Sequence, residues 1–129
     1  MGGFKIMQAT FSIGIGCASG ASPEDVIRLI ASAIDLNALP TGAILATIDR
    51  RSEIAASVST KLGIPLALFA AEILAVTEGT VTHSSLAFTT VGTGSVAEAA
   101  ALAALGPTGR LLLPRQTGRR CTCAFAQLS

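Results

Sequence analysis

Residues 11–30 read "FSIGIGCASGASPEDVIRLI", and this stretch sets the class of the fold. Phe11, Ile13 and Ile15 alternate with Ser12 and Gly14, the period-two pattern of a strand, which is expected to run from Ile6 to Cys17. "GCASGAS" then breaks the pattern and makes a loop. Ser22, Pro23 and Asp25 supply an N-cap, a proline at the first helical position and a carboxylate in the first turn, so a helix starts there. Val26, Ile27, Ile30, Ala33 and Ile34 recur at helical spacing, which predicts an amphipathic helix over residues 23–37.

The same order of elements returns downstream. "AILATI" at 43–48 is a short, continuous apolar run with branched side chains, as expected of a strand covered on both faces. "DRRSEIAASVSTKLG" at 49–63 spaces Ile54, Val58 and Leu62 four apart and ends on Gly63 as a C-cap, with Pro65 just beyond. "PLALF" at 65–69 predicts a third strand and "AAEILAV" at 70–76 a short helix. Residues 77–94 carry no clean period and read as loop with one short helix. An alanine-rich helix follows in "VGTGSVAEAAALAAL" at 91–105. "RLLLP" and "RCTCAFAQL" then read as two strands joined by "RQTGR", with Gly118 in a hairpin turn. The expected fold is α/β: a single three-layer domain over residues 1–129, with a mostly parallel or mixed sheet of about five strands and helices on both faces.

Half of the residues are hydrophobic and 13% are charged, with no Trp or Tyr, so the core must be built from Ala, Leu, Ile, Val and five Phe. A net charge of +1 without a run of Lys or Arg argues against nucleic acid or an anionic membrane as partner. No apolar run approaches the ~18 residues of a membrane helix, and "MGGFKIMQATF" lacks the pattern of a signal peptide, so a cytoplasmic protein is expected. Cys17, Cys121 and Cys123 form an odd set and are expected as free thiols.

Four features bear on chemistry. Gly14, Gly16 and Gly20 line the first loop, but the dinucleotide fingerprint needs its third glycine one residue earlier, which favours a tight strand-to-helix turn. Ser95 and Glu98 have capping-box spacing in the second glycine segment, which lacks the lysine of a phosphate-binding P-loop. The alanines at 97, 99, 100, 101, 103 and 104 let a neighbouring backbone come close. His83, beside Ser84 and Ser85, is a candidate general base without an assignable orienting acid. Cys121 and Cys123 face one side of a strand, and with only Cys17 and His83 to complete a zinc set, no metal is expected; nor is a cofactor. Arg50, Arg51, Lys61, Arg110, Arg115, Arg119 and Arg120 can neutralise an acidic ligand where several converge.

The series "GIGCASG", "ILATID" with Arg50, Arg51 and Glu53, "KLGIPLALF", "VGTGSVAEAAAL" and "LLLPRQTGRRCTCAFA" resembles the CobE family and the related C-terminal domain of CbiG, both of cobalamin biosynthesis. The resemblance runs from about Ile13 to Ala126. Ala18, "DRRSE" and "HSS" look like the stand-alone CobE branch. Full-length CbiG is assigned to opening the lactone of cobalt-precorrin-5A, and it carries N-terminal regions for which this chain has no room.

The resemblance implies a corrinoid or precorrin ligand, a broad macrocycle with many carboxylates. Gly16, Cys17, Ser19, Gly20, His83, Ser84, Gly92, Gly94, Ser95 and Glu98 are the expected ligand contacts, and Glu98 and His83 the only catalytic candidates. The expected function is an accessory or carrier protein of vitamin B12 synthesis, with other enzymes of that pathway as further partners. The alternative is a hydrolase of a precorrin lactone or ester.

Overall fold

The computed structural model of the chain describes residues 9–77 and 96–128. Its centre is a five-stranded sheet in the order β3-β2-β1-β5-β4. These strands are β1 (Phe11–Cys17), β2 (Ala43–Ile48), β3 (Leu66–Phe69), β4 (Gly109–Thr117) and β5 (Cys121–Leu128). The first three are parallel; β5 pairs antiparallel with β1, and β4 antiparallel with β5. The sheet is therefore mixed, as the hairpin signal near Gly118 implies.

The helices are α1 (Pro23–Ala33), α2 (Ser52–Leu62), α3 (Ala71–Ala75) and α4 (Val96–Leu105). One face of the sheet packs under α1 and α2, where Val26, Leu29, Ile30, Ala55 and Val58 meet Ile13, Ile15, Leu45 and Phe125. Phe11 and Phe125 stack there with ring centroids 6.1 Å apart, worth about 0.5–1.5 kcal/mol beyond their burial. The opposite face carries α3 and α4, which pack on Ala46, Ile48 and Ala126.

The alternation in "FSIGIGC" decides which layer lies where. Phe11, Ile13 and Ile15 fill the α1–α2 side, while Ser12 and Gly14 face α4. A β-carbon on Gly14 would stand 2.6 Å from the Ala101 nitrogen, a separation that real β-carbons do not reach. Ser12 Oγ donates to the Ala101 carbonyl at 2.6 Å. An alanine helix against a strand of glycine and serine lets two backbones approach, and the alanine run of α4 is explained by this packing.

Three boundaries differ from the sequence expectation. The first strand begins at Phe11; residues 1–8 lie outside the described part. The first helix stops at Ala33, with Ile34 extended at its C-cap, and a separate 3-10 turn covers Leu36–Ala38. Asp35 accepts from the Asn37 N–H to start that turn, and an aspartate is unfavourable at the negative end of a continuing helix. The fourth strand extends through "RQT" to Thr117, so the hairpin tip is Gly118–Arg120. The expected loop and short helix of residues 77–94 fall almost wholly outside the described residues.

β4 carries two register shifts against β5, one between Leu111 and Leu113 and one between Leu113 and Gln116. Leu111 packs on the α4 side, whereas Leu113 packs on the α1 side. Residues two apart ordinarily share a face, so the first shift turns the strand over. Among the described residues no helix is long and apolar enough to cross a membrane.

Candidate functional site

The C-terminal ends of β1 and β2 gather the polar loops at one edge of the sheet, the usual place for a ligand in an α/β fold. β4 runs in the direction of β1, so Arg115–Thr117 reach the same edge. β1 ends at Gly16 and Cys17; Ala18, Ser19 and Gly20 follow as an exposed loop. The Ala21 N–H closes that loop on the Ala18 carbonyl at 3.1 Å. α1 then starts with a full capping box: Ser22 Oγ accepts from the Asp25 N–H at 3.1 Å, and Asp25 Oδ2 accepts from the Ser22 N–H at 3.2 Å.

Two arginines converge on the loop. Arg51, at the start of α2, donates Nε–H to the Cys17 carbonyl at 2.9 Å. Arg120, at the hairpin tip, accepts through its carbonyl from the Ala18 N–H at 2.9 Å. A β-carbon on Gly20 would lie 2.6 Å from Arg120 Nη1, so the guanidinium lies directly over that glycine. Gly20 has φ +134° and Arg120 φ +59°, both in the region that favours glycine. Holding a non-glycine residue there costs about 1 kcal/mol or more, so the tip keeps its arginine against local preference. Between the loop and the start of α2 lies an open cleft of about 380 Å³, lined by Ser19, Gly20, Arg50, Arg51, Asp49 and Glu53.

The first loop also meets the start of α4. A β-carbon on Gly16 would have Val96 Cβ at 3.7 Å and the Ala97 nitrogen at 3.8 Å as neighbours, and Thr122 Oγ1 donates to the Gly16 carbonyl at 3.5 Å. One residue further, Glu98 is fully buried, and its Oε2 accepts from the Arg115 N–H at 2.8 Å. The first turn of α4 thus stands between the first glycine loop and β4.

The three thiols lie on the α1 side of the sheet. Cys17 and Cys121 are cross-strand partners, and all three are free. Burial pushes the Cys17 thiol up to about 11, with Cys121 adding to the shift and Arg51 opposing it. Burial likewise pushes Cys123 up to about 12. Thiols so protonated near neutral pH are poor nucleophiles and poor metal ligands. Among the described residues, no group of three or more His, Cys, Asp or Glu is placed to hold a metal ion.

Of the residues singled out from sequence, Gly16, Cys17, Ser19 and Gly20 come together at this edge, with Glu98 behind it. His83, Ser84, Gly92, Gly94 and Ser95 lie outside the described residues. The capping partner expected for Glu98 is Ser95 and lies there too. Arg51, Arg115 and Arg120 lie in segments that carry the family resemblance, but the sequence does not single them out among the arginines as site residues. Their selection comes from the hairpin and from the helix start that places Arg51.

These features define a three-layer α/β domain with a mixed sheet and with glycine-lined, arginine-bearing loops at one edge. Residues 11–126 match the family described as cobalamin synthesis G C-terminus, and the chain belongs to that family. It is similar to CobE, a protein from the cobalamin (vitamin B12) biosynthetic pathway: TM-score 0.79 and 31% identity, covering 94% of this chain and 92% of that one. It is also similar to the cobalamin biosynthesis protein chiG from Agrobacterium tumefaciens str. C58, with TM-score 0.67 and 28% identity over 92% of this chain and 98% of that one. A cobalamin biosynthesis protein G homolog from Sulfolobus solfataricus shares the fold at TM-score 0.67 and 21% identity, this chain spanning 37% of its length. A comparison with curated proteins gave no match.

Proposed function

We propose that this cobalamin biosynthesis protein binds a corrinoid or precorrin intermediate as an accessory or carrier protein, working in the cytoplasm beside the enzymes of that pathway. The observation that carries this reading is the convergence of Arg51 and Arg120 on the first glycine loop in a chain of this family. A corrin ring bears carboxylate side chains around a broad, largely apolar plane. Guanidinium groups hold carboxylates through charge-assisted hydrogen bonds, and glycines without side chains leave room for a flat ring. The exposed loop Ala18–Gly20, the cleft beside it and the start of α4 at Gly16 offer such a surface.

Among the described residues, the chemistry within reach favours carriage over turnover. The buried thiols are held protonated, and the Glu98 carboxylate is enclosed and engaged with a backbone N–H of β4. The test is to mix the purified protein with a series of corrinoid intermediates, separate by gel filtration and record absorbance. Co-elution with a shifted spectrum is expected for at least one. If none co-elutes, the reading fails. A gain of one water in ligand mass would instead establish opening of a lactone, and release of an alcohol from the ligand hydrolysis of an ester.

A further inference from the structure

The contact between Glu98 and β4 extends this reading to a residue outside the first loop. Glu98 is an ionisable side chain with no exposure to solvent, which is costly unless its oxygens are hydrogen-bonded. Its Oε2 accepts from the N–H of Arg115, within the second register shift of β4. In such a bulge one residue loses its ladder partner, and Pro114 next to it has no N–H to offer. On the other side of the same bulge, Gln116 Nε2 donates to the Pro114 carbonyl at 2.8 Å. Two side chains, one from α4 and one from β4 itself, therefore supply the hydrogen bonds that the displaced backbone would lack.

The bulge lies just short of the sheet edge at which the first glycine loop stands. Thr117 pairs with Thr122, and Thr122 pairs with Gly16, so the residues just past the bulge lie in one row with the end of β1. The α4 turn that carries Glu98 is the same turn that abuts Gly16. Bulges at such edges re-aim a side chain, and here the residue whose backbone is clamped is an arginine. We propose that Arg115 is a ligand-binding residue for a carboxylate of the macrocycle, and that Glu98 is a positioning residue that fixes the bulge presenting it. This rests on the corrinoid-binding reading above.

The proposal separates three substitutions. Glu98→Gln keeps an oxygen acceptor for the Arg115 N–H, Glu98→Ala removes it, and Arg115→Ala removes the guanidinium alone. Two quantities are measured: hydrogen exchange at the Arg115 amide in the free protein, and affinity for cobyrinic acid, whose peripheral groups are free carboxylates, by absorbance titration. Glu98→Gln should leave both within about threefold of the original protein. Arg115→Ala should weaken binding about tenfold, the usual size of one charge-assisted contact. Glu98→Ala should speed the amide exchange about tenfold or more and weaken binding by a similar factor, with the double substitution no weaker than Arg115→Ala alone.

If Glu98→Ala does not fold, Gln116→Ala loosens the same bulge from its other side and is expected to lower affinity in the same direction. Normal binding by Arg115→Ala overturns the inference while leaving corrinoid binding intact. Equal loss in Glu98→Gln and Glu98→Ala overturns the positioning role, because the charge and not the acceptor would then matter. Absence of binding by the unaltered protein to cobyrinic acid and to every other corrinoid removes the functional reading itself, and the contact with it.

Discussion

Gly14 and Ala101 set the distance between the central strand and the helix that covers it: a β-carbon on the glycine would stand 2.6 Å from the Ala101 nitrogen. The two nearest atoms, the Ala97 oxygen and the Ala101 nitrogen, are backbone, which cannot swing aside. Gly14→Ala is therefore expected to destabilise the protein by about 3 kcal/mol, at the upper end of overpacking costs. Urea unfolding at equilibrium measures this. Gly63→Ala is the matched control, since nothing lies within 4 Å of a β-carbon there and only its φ of +71° opposes the change. Its cost should be about 1 kcal/mol.

Thr47 Oγ1 donates to the Ile15 carbonyl at 2.7 Å in a fully buried position. Thr47→Val preserves shape and removes the donor. The expected loss is about 1 kcal/mol, read as a lower urea midpoint with an unchanged slope.

Arg120 combines a left-handed backbone with a guanidinium over Gly20. Arg120→Gly should relieve the turn and raise stability by roughly 0.5 kcal/mol, after the extra freedom of glycine in the unfolded chain is offset. The same change should weaken corrinoid binding about tenfold. Thermal unfolding and absorbance titration of one variant are expected to move in opposite directions.

The Cys17 and Cys123 thiols have folded values pushed up to about 11 and about 12 by burial. The unfolded chain loses these protons first, near ~8.5, so their contribution to stability is complete below that pH and is lost as pH rises through the folded values. Urea midpoints should fall between about pH 8.5 and 11, and less so in Cys123→Ala than in the unaltered protein. At pH 8 iodoacetamide should react slowly with the folded protein and quickly in urea, with the half-buried Cys17 modified before Cys121 and Cys123.

Asp25 shows the opposite sign. The Ser22 backbone N–H, and more weakly the Ser22 hydroxyl and the charges of Arg119 and Arg28, hold its carboxyl below the usual range. Its stabilising contribution is present above the unfolded value of about 3.9 and disappears as pH falls through the folded one. Asp25→Asn should lower stability at neutral pH and flatten part of the acid limb of the stability profile, so that the two proteins converge as pH falls through the folded value, as followed by circular dichroism.

Local signals carried much of this structure. Ser22, Pro23 and Asp25 mark the start of α1 because a cap depends on neighbours within one turn, and "FSIGIGC" marks β1 because strand faces alternate. The end of α1 is not legible from spacing, because Ile34 continues the apolar pattern while Asp35 and Asn37 turn the backbone away. "RQT" carries no strand signal because a strand that contains Pro114 and two register shifts has no clean period. The partner of Glu98 lies 17 residues on, and no spacing rule predicts a bond made to a bulge. The link does join "VAEAAAL" to "PRQ", which lie in two of the segments that carry the family resemblance. Arg51 and Arg120 could be chosen from among the arginines only once the strands had set the loops side by side.

The placement of β5 has a consequence for how the protein is made. This strand comes last in the described chain, yet it lies inside the sheet between β1 and β4 and pairs with β1 along its whole length. A nascent chain halted before Cys121 would have β1, β2 and β3 with an open, apolar edge and nothing to close it. Completion of the sheet must therefore wait for residues 121–128 to leave the ribosome, and until then the unpaired side of β1 is where a chaperone would be expected to act.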